Sequence, residues 1–467
     1  MILSHCRTLP LPSSTTTTLL RRCLHRSITS LVVASTCLQQ LGGAASFVPT
    51  QGRQRFVGVT PWIPTKQSLQ SFATSTTNSH PNDSKDNHND SFSTTFSSCS
   101  SSSSTMPDTV KTCLLTKWSD SHAKETAIQK CVLPLSFDSH KGSSGRVGIL
   151  GGSERYTGAP YYAGMSSLRV GADLSFVFCA HQAATAIKSY SPELMVVPVY
   201  DATVLNDVPT ETVDPKQAES TVRNEIGRIV EQVTDLMGRM HVLVIGPGLG
   251  RNVHVFEAVK EIVQEAMSRR LWLVLDADAL YMLSIKDYRR LFCGYDKVVL
   301  TTNVMEYKRL WDAHQQSDGT NTWSEEFGNA VIIQKGKHDV ISCGCSSTAT
   351  VGTDDKTDNA LEQGVQMKCQ EVGGMKRSGG LGDILAGTVA TFLAWNEILA
   401  SKVGNDDTVP NDTIPTRVLA CWTACCVVKQ ATKRAFDRQR RAMTAPDVME
   451  DLGQTMNDMT DDAGSNE

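Results

Sequence analysis

The chain has 467 residues, 40% of them hydrophobic and 20% charged, and a formal net charge of -4. That balance excludes a global attraction to nucleic acid or anionic lipid, though local basic clusters can still hold a small anion. No stretch reaches the roughly 18 to 20 unbroken apolar residues of a membrane span, and the 14 cysteines include no C-x-x-C pair. They are read as reduced, buried small hydrophobes in a reducing compartment.

The first hundred residues differ from the rest. Ser and Thr dominate, Arg7, Arg21, Arg22, Arg26, Arg53 and Arg55 supply positive charge, and no acid precedes Asp83. A positive, acid-free leader suits a mitochondrial address, and the serine run Ser91–Ser104 cannot bury enough apolar surface to fold. The apolar run Ile28–Leu38 followed by Ala45-Ser46-Phe47 offers a plastid address as the alternative, and Met106 offers an internal start for a cytosolic form. From Arg146 onward short apolar runs alternate with helical patterns, the sign of βα units in a mainly parallel sheet with helices on both faces. Strands are expected at Val147–Leu150, Leu174–Cys179, Val242–Ile245, Trp272–Leu275, Val298–Thr301 and Ala330–Ile333. Val255, Val259, Ile262, Val263 and Ala266 fall on one helical face between two of them. Polar stretches at Asp201–Glu225, Gln315–Ser324, Val351–Gln363 and Lys402–Pro415 are expected as surface loops on one core. Residues 1–105 are thus assigned to targeting, 106–455 to one α/β domain, and 456–467 to a disordered acidic tail.

Within that domain, Lys141-Gly142-Ser143-Ser144-Gly145-Arg146 runs into a strand that ends at Gly151-Gly152-Ser153. The spacing is not G-x-G-x-x-G, so a Rossmann turn is discounted. Gly246-Pro247-Gly248-Leu249-Gly250-Arg251 directly follows a strand, at the edge where open α/β sheets bind ligands, although a tight structural turn explains Gly246 equally well. Leu275-Asp276-Ala277-Asp278 ends another strand and adds no chemistry in this reading. Asn303-Val304-Met305-Glu306-Tyr307-Lys308-Arg309 follows Val298–Thr302; Glu306 is either a first-turn acid favoured by the helix dipole or a carboxylate that holds a divalent ion through water. Lys335-Gly336-Lys337-His338-Asp339 stands just past a strand, which favours phosphate contact by Lys335 over a solvated surface charge. His338 has no nucleophile beside it to activate and reads chemically as a turn residue.

The most informative segment is Gly373-Gly374-Met375-Lys376-Arg377-Ser378-Gly379-Gly380-Leu381-Gly382-Asp383, which opens the apolar helix Ile384–Leu393. Glycines let several N–H groups converge, and the helix N-terminus adds roughly half a positive charge, so the loop is an anion hole. An isolated acid there would only cap the helix. Beside a phosphate-cradling loop, Asp383 can instead take the proton of an attacking hydroxyl.

A glycine loop ending in Gly-Asp at a helix mouth resembles the ribokinase-like enzymes. Taken with the segments at Lys141–Ser153, Gly246–Arg251, Asn303–Arg309 and Lys335–Asp339, the Lys-Arg-x-Gly-Gly-x-Gly-Asp form resembles the ATP-dependent NAD(P)H-hydrate dehydratase family, over about Ser119 to Gly453. Thr302 departs from a proline common in the family and loosens one turn without removing a functional group. The resemblance implies a ribokinase-like doubly wound fold with Asp383 as catalytic base. It implies ATP contact by Lys335, Gly336, Lys337, His338, Asp339 and the loop Gly373 to Gly382. Contact with the hydrated dinucleotide is implied for Gly248, Gly250, Asn303, Val304, Met305, Glu306, Tyr307, Lys308, Arg309 and Asp383. The expected reaction is dehydration of the hydrates of NADH and NADPH with ATP as co-substrate and magnesium as cofactor, releasing ADP and phosphate. A separate epimerase acting on the hydrates is the expected functional partner, with no nucleic acid and no membrane, and a homo-oligomer is left open. A small-molecule kinase using the same Asp383 is the alternative enzyme; a silent nucleotide sensor is the alternative binding protein. No G-x-x-x-x-G-K-[S/T] is present, which excludes a P-loop ATPase.

Overall fold

Short runs rich in Val, Ile and Leu are fully buried when a sheet is covered on both faces. Five such runs form its middle: β2 (Arg146–Leu150), β5 (Val242–Ile245), β6 (Trp272–Leu275), β7 (Val298–Thr302) and β8 (Val331–Gln334). A computed structural model describes residues 110–206, 215–315, 326–327, 330–343, 364–403 and 414–460. All of these belong to the unit spanning 100–467. The leader to residue 105, Met106, most of the stretches 315–324 and 402–415, the whole of 351–363 and the tail from 461 lie outside the described residues.

Around that middle stand β1 (Val110–Thr116), β3 (Leu174–Ala180), β4 (Met195–Tyr200), β9 (Asp339–Cys343) and β10 (Gly364–Cys369), giving one ten-stranded sheet ordered β1-β10-β9-β8-β7-β6-β5-β2-β3-β4. Every pairing is parallel except those of β9 with β8 and β10. The six expected strands are present. Pro198 lies in β4, which pairs only with β3 and so tolerates a missing ladder donor.

The helices are α1 (Ser121–Cys131), α2 (Gly158–Val170), α3 (His181–Tyr190), α4 (Ala202–Asn206), α5 (Pro215–Met237), α6 (Val253–Ser268), α7 (Asp278–Leu283), α8 (Val304–Gln315), α9 (Leu381–Val403), α10 (Thr416–Gln439) and α11 (Ala445–Thr460). One layer is built from α1, α2, α9, α10 and α11, which pack on each other; α5 and α6 pack together, as do α7 and α8. Right-handed crossovers put the second set on the opposite face. The central helix of the first layer is α9, with Ile384, Val389, Ala390, Phe392 and Leu393 fully buried. It is long and apolar enough to cross a membrane, but two-thirds of its apolar window is buried in the protein, as in a core helix.

Two expectations are corrected. The stretch Asp201–Glu225 is not one loop, because α4 and the start of α5 occupy part of it. Polar residues on the outer face of α5 mask an inner row in which Ile229, Val233 and Met237 are buried. The folded region also passes residue 455: α11 continues to Thr460 because Met456 and Met459 are buried against the core.

Candidate active site

The chain runs from β2 outward to β3 and β4, then returns to place β5 on the other side of β2. The carboxyl ends of β2 and β5 therefore flank the point where strand order reverses, a standard ligand crevice of open α/β sheets. Here the turns after the two strands meet: the Ser153 hydroxyl donates to the Gly248 carbonyl at 2.9 Å, and the Gly152 N–H donates to that of Pro247 at 3.0 Å. Gly246 is the structural member of its motif. With φ at +119°, a Cβ there would stand 1.9 Å from the Asp276 carbonyl oxygen. The Gly250 N–H donates to Asp278 Oδ2 at 2.9 Å, and Arg251 Nε pairs with Oδ1 of the same carboxylate at 3.2 Å. Beside these turns lies a cleft of about 670 Å³, lined by Ser153, Tyr156, Tyr200, Gly250, Arg251 and Asn252 among others.

The acid cluster lies next along the sheet edge and does not line that cleft. Gly380, at φ +91°, accepts the first amide of α9 from Ile384 at 3.0 Å; a Cβ on it would meet Tyr162 and Ala445 at 2.8 Å. This tight seat puts Asp383 in the first turn of α9. At Gly382 the missing Cβ leaves room for Lys335 Nζ, 3.3 Å from where that carbon would be, and for Asp276 Oδ2 at 3.7 Å. Lys335 Nζ bonds Asp276 Oδ1 at 2.9 Å and stands 4.0 Å from Glu306 Oε2. One partly buried cation thus stands against Asp276 and Glu306, and its charge is also felt by Asp383.

Burial pushes the Asp383 carboxyl up to about 7; the Asp276 charge adds to that rise and the Lys335 charge opposes it. Burial also raises Glu306, against the pull of Lys335. For Lys335 burial works against the charge, but Asp276, Glu306 and Asp383 outweigh it and hold the ammonium above its ordinary value. The arrangement keeps Lys335 charged while leaving Asp383 able to exchange a proton near neutral pH.

The seven residues from Asn303 to Arg309 divide by role. Asn303 and Glu306 form a capping box: Asn303 Oδ1 accepts from the Met305 and Glu306 amides at 2.9 Å, and Glu306 Oε2 accepts from the Asn303 amide at 2.8 Å. Glu306 is therefore both the first-turn acid and a neighbour of Lys335. Val304 and Met305 are exposed on the sheet edge, and Arg309 lies over the Tyr281 ring with its guanidinium 5.6 Å from the centroid. Arg251 covers the same ring at 4.0 Å. Tyr307 is partly buried against the core. Lys308 is engaged elsewhere, with Asp312 one helical turn on at 2.8 Å. Thr302 is more than a substitute: its hydroxyl donates to the Ile333 carbonyl at 3.1 Å and its own carbonyl accepts the Lys335 amide at 2.7 Å.

On the far side, Lys335 to Asp339 make the turn between β8 and β9. Asp339 Oδ1 accepts the Gly336 amide at 2.8 Å. Lys429 of α10 closes the turn, donating to the Gly336 carbonyl at 2.6 Å and pairing with Asp339 Oδ1 at 3.0 Å. A Cβ at Gly373 would touch Lys429 Cδ at 3.2 Å, so the glycine loop and the β8–β9 turn meet over this one side chain. Burial, with the charges of Lys337, Lys368 and Lys429, pushes His338 below its ordinary value. Met375 and Arg377 are exposed along the loop, while Lys376 and Ser378 are partly covered.

Sequence reasoning passed over Asp276, Asp278 and Lys429. The two acids were visible as a D-x-D at the end of an apolar strand. Lys429 carried no signal, since it sits in an ordinary helical pattern.

Comparison with known proteins agrees with this geometry. The profile of the family described as NAD(P)H-hydrate dehydratase matches residues 147–454. The ATP-dependent (S)-NAD(P)H-hydrate dehydratase of Schizosaccharomyces pombe is 36% identical over 341 residues, covering 72% of this chain and 93% of that protein. The protein of the same name from Homo sapiens is 34% identical over 334 residues, covering 70% and 81%. Among solved structures, a hypothetical protein from Streptococcus mutans aligns with a TM-score of 0.50 at 20% identity, covering 72% of this chain and 98% of that one. With the reversal of strand order, the Gly-Asp helix mouth and these relatives in hand, the chain belongs to the NAD(P)H-hydrate dehydratase family, on a doubly wound, mainly parallel α/β sheet.

Proposed function

We propose that the protein is an ATP-dependent dehydratase that restores NADH and NADPH from their hydrates, releasing ADP and phosphate. The observation that carries this reading is Asp383, raised to about 7 at the mouth of α9 with Lys335 and Asp276 against the same turn. A hydrated nicotinamide ring bears a hydroxyl on a saturated carbon, and hydroxide leaves poorly near neutral pH. Asp383 takes the proton of that hydroxyl as its oxygen attacks the γ-phosphorus and the bond to ADP breaks. Amides of Gly379 to Gly382, the α9 dipole and Lys335 face the charge that builds on the transferring group. The ring nitrogen's lone pair then expels phosphate, and loss of a proton from the neighbouring carbon restores the double bond.

The cleft beside Gly248 and Gly250 is large enough for part of a dinucleotide, and Arg251 stands at its wall. Lys335 to Asp339 and Gly373 to Gly382 face the nucleotide. Magnesium is the fitting cofactor, carried by the triphosphate and held through water by Glu306, where it would neutralise phosphate charge. The hydrates form as two epimers, so a separate epimerase is the fitting partner, and the acid-free leader supports a mitochondrial address.

The test follows dihydronicotinamide absorbance when the full chain meets hydrated NADH, ATP and magnesium. Recovery of absorbance with release of ADP and phosphate, abolished in Asp383→Asn, is expected. Consumption of ATP on small alcohols without any recovery would replace this reading with that of a kinase.

A further inference from the structure

The fold splits the segment Lys141–Ser153. Gly151 to Ser153 reach the catalytic edge, but Lys141 to Arg146 lie at the amino end of β2, where none of the site described above stands. There the residues before β2, His241 before β5 and the last turns of α9 enclose a second cleft of about 440 Å³. Arg146, His140 and Lys402 line it, with Asp138 as the one acid among its lining residues.

Arg146 is unusual in its partner. Among the described residues no carboxylate pairs with its guanidinium; Nη2 instead stands 3.0 Å from His241 Nε2, while the Arg146 amide donates to His241 Nδ1 at 3.1 Å. With Nδ1 accepting that amide, the single proton of the neutral ring lies on Nε2 and faces the guanidinium, and a second ring proton on Nδ1 would face the amide N–H with no acceptor. Burial and the Arg146 charge accordingly push His241 down to about 4, against the weak opposing pull of Glu397 on α9. Two of the residues that line the cleft each carry a buried donor without a hydrogen-bond partner, Arg146 Nε and Ser143 Oγ. A half-buried guanidinium facing a neutral ring, with an orphaned N–H and an orphaned hydroxyl beside it, is a donor-rich, acceptor-poor arrangement suited to an anion. The carbonyl end of α9 and Asp138 oppose one, but Lys402 lies in that last turn and offsets them.

We propose that this cleft is a second anion site that takes a phosphate group, with Arg146 and Lys402 supplying charge and Ser143 a hydrogen bond. Free orthophosphate and the phosphate of a nucleotide share that chemistry, and the volume leaves room for either. The inference rests on these residues alone and is independent of the reaction at Asp383.

His241 is the built-in reporter. Burial contributes most to the depression of His241 and the Arg146 charge second, so an anion that engages the guanidinium offsets only the second part and the titration should move up by roughly one pH unit. In full-length protein its ring resonances, assigned by loss in His241→Gln, are followed against pH with orthophosphate and separately with ADP. Binding at the catalytic edge will not mimic the effect: the four residues of β5 separate the two ends by about 13 Å, beyond the roughly 10 Å screening length at 0.1 M salt.

A saturable upward move with phosphate supports the site, and a move with ADP alone assigns it to a nucleotide. Lys402→Gln, an exposed change, should weaken apparent affinity up to about fivefold, and Arg146→Gln should abolish the response. An unmoved titration at millimolar phosphate and ADP overturns the proposal, as does a response that persists in Arg146→Gln.

Discussion

At Asp383 two demands compete: a proton acceptor must be ionised to act, yet burial beside Asp276 favours its protonated form. With the group raised to about 7, the rate at saturating substrate should climb as pH rises through about 7 and level off above it. Asp383→Asn should lower kcat by about a hundredfold or more while leaving nucleotide affinity nearly unchanged. Lys335 sets where that limb falls. Lys335→Met removes the charge that favours ionised Asp383, so residual activity should appear only at higher pH. The same change strands Asp276 in the core and should destabilise the protein by about 3 kcal/mol or more. Adding Asp276→Leu should restore most of the thermal stability without restoring activity, and a melt and a pH–rate profile on both variants separate the two effects. Recovery of activity in the double variant would mean that Lys335 serves only Asp276.

Among elements, the turn between β8 and β9 is closed internally by Asp339 on the Gly336 amide, and Lys429 on α10 ties it to the helical layer by holding the Gly336 carbonyl and the Asp339 carboxylate. Lys429→Met should raise the KM for ATP about tenfold with a smaller effect on kcat, because the turn loosens while Asp383 remains seated. An equal fall in kcat would place Lys429 nearer the reacting atoms. At the chain's other end, Met456→Ala with Met459→Ala should lower stability by about 2 kcal/mol or more per site, read as a shifted denaturant midpoint. Activity should persist, since Val448 and Leu452 still hold the start of α11, where Ala445 meets Gly380. These elements show what the sequence makes legible. The apolar runs of β5 to β8 and the Gly-Asp mouth of α9 declare themselves locally, since burial on both faces and a glycine loop leave compositional marks. β10 alternates polar and apolar residues over only six positions, β9 buries Asp339 while leaving Val340 partly exposed, and α5 hides its inner row among charges. Lys335, Asp276 and Asp383 form a cluster only once three separate segments meet. Such pairing is tertiary information, which is why Asp276 looked inert.

For the whole molecule, two ends of one sheet titrate in opposite senses. Asp383 rises from 3.8 to about 7 on folding, so the native state holds more protons than the unfolded chain between those values, and stability falls as pH rises through that range. His241 drops from 6.5 to about 4, so there the unfolded chain holds more protons and stability rises with pH over nearly the same interval. The slopes oppose each other, and the melting temperature of the wild type should change little between pH 4 and 6.5 from these two groups. Each substitution should expose the other slope. In Asp383→Asn the melting temperature should climb with pH from about 4 to 6.5, its excess over wild type growing to a plateau above about 7. In His241→Gln it should instead decline across the same interval. Melts of the three proteins at matched ionic strength decide the matter: parallel curves would mean that neither group is perturbed by folding. Opposite slopes would establish that a proton-exchanging acid at the catalytic edge is offset, across the width of the sheet, by a histidine held neutral beside Arg146.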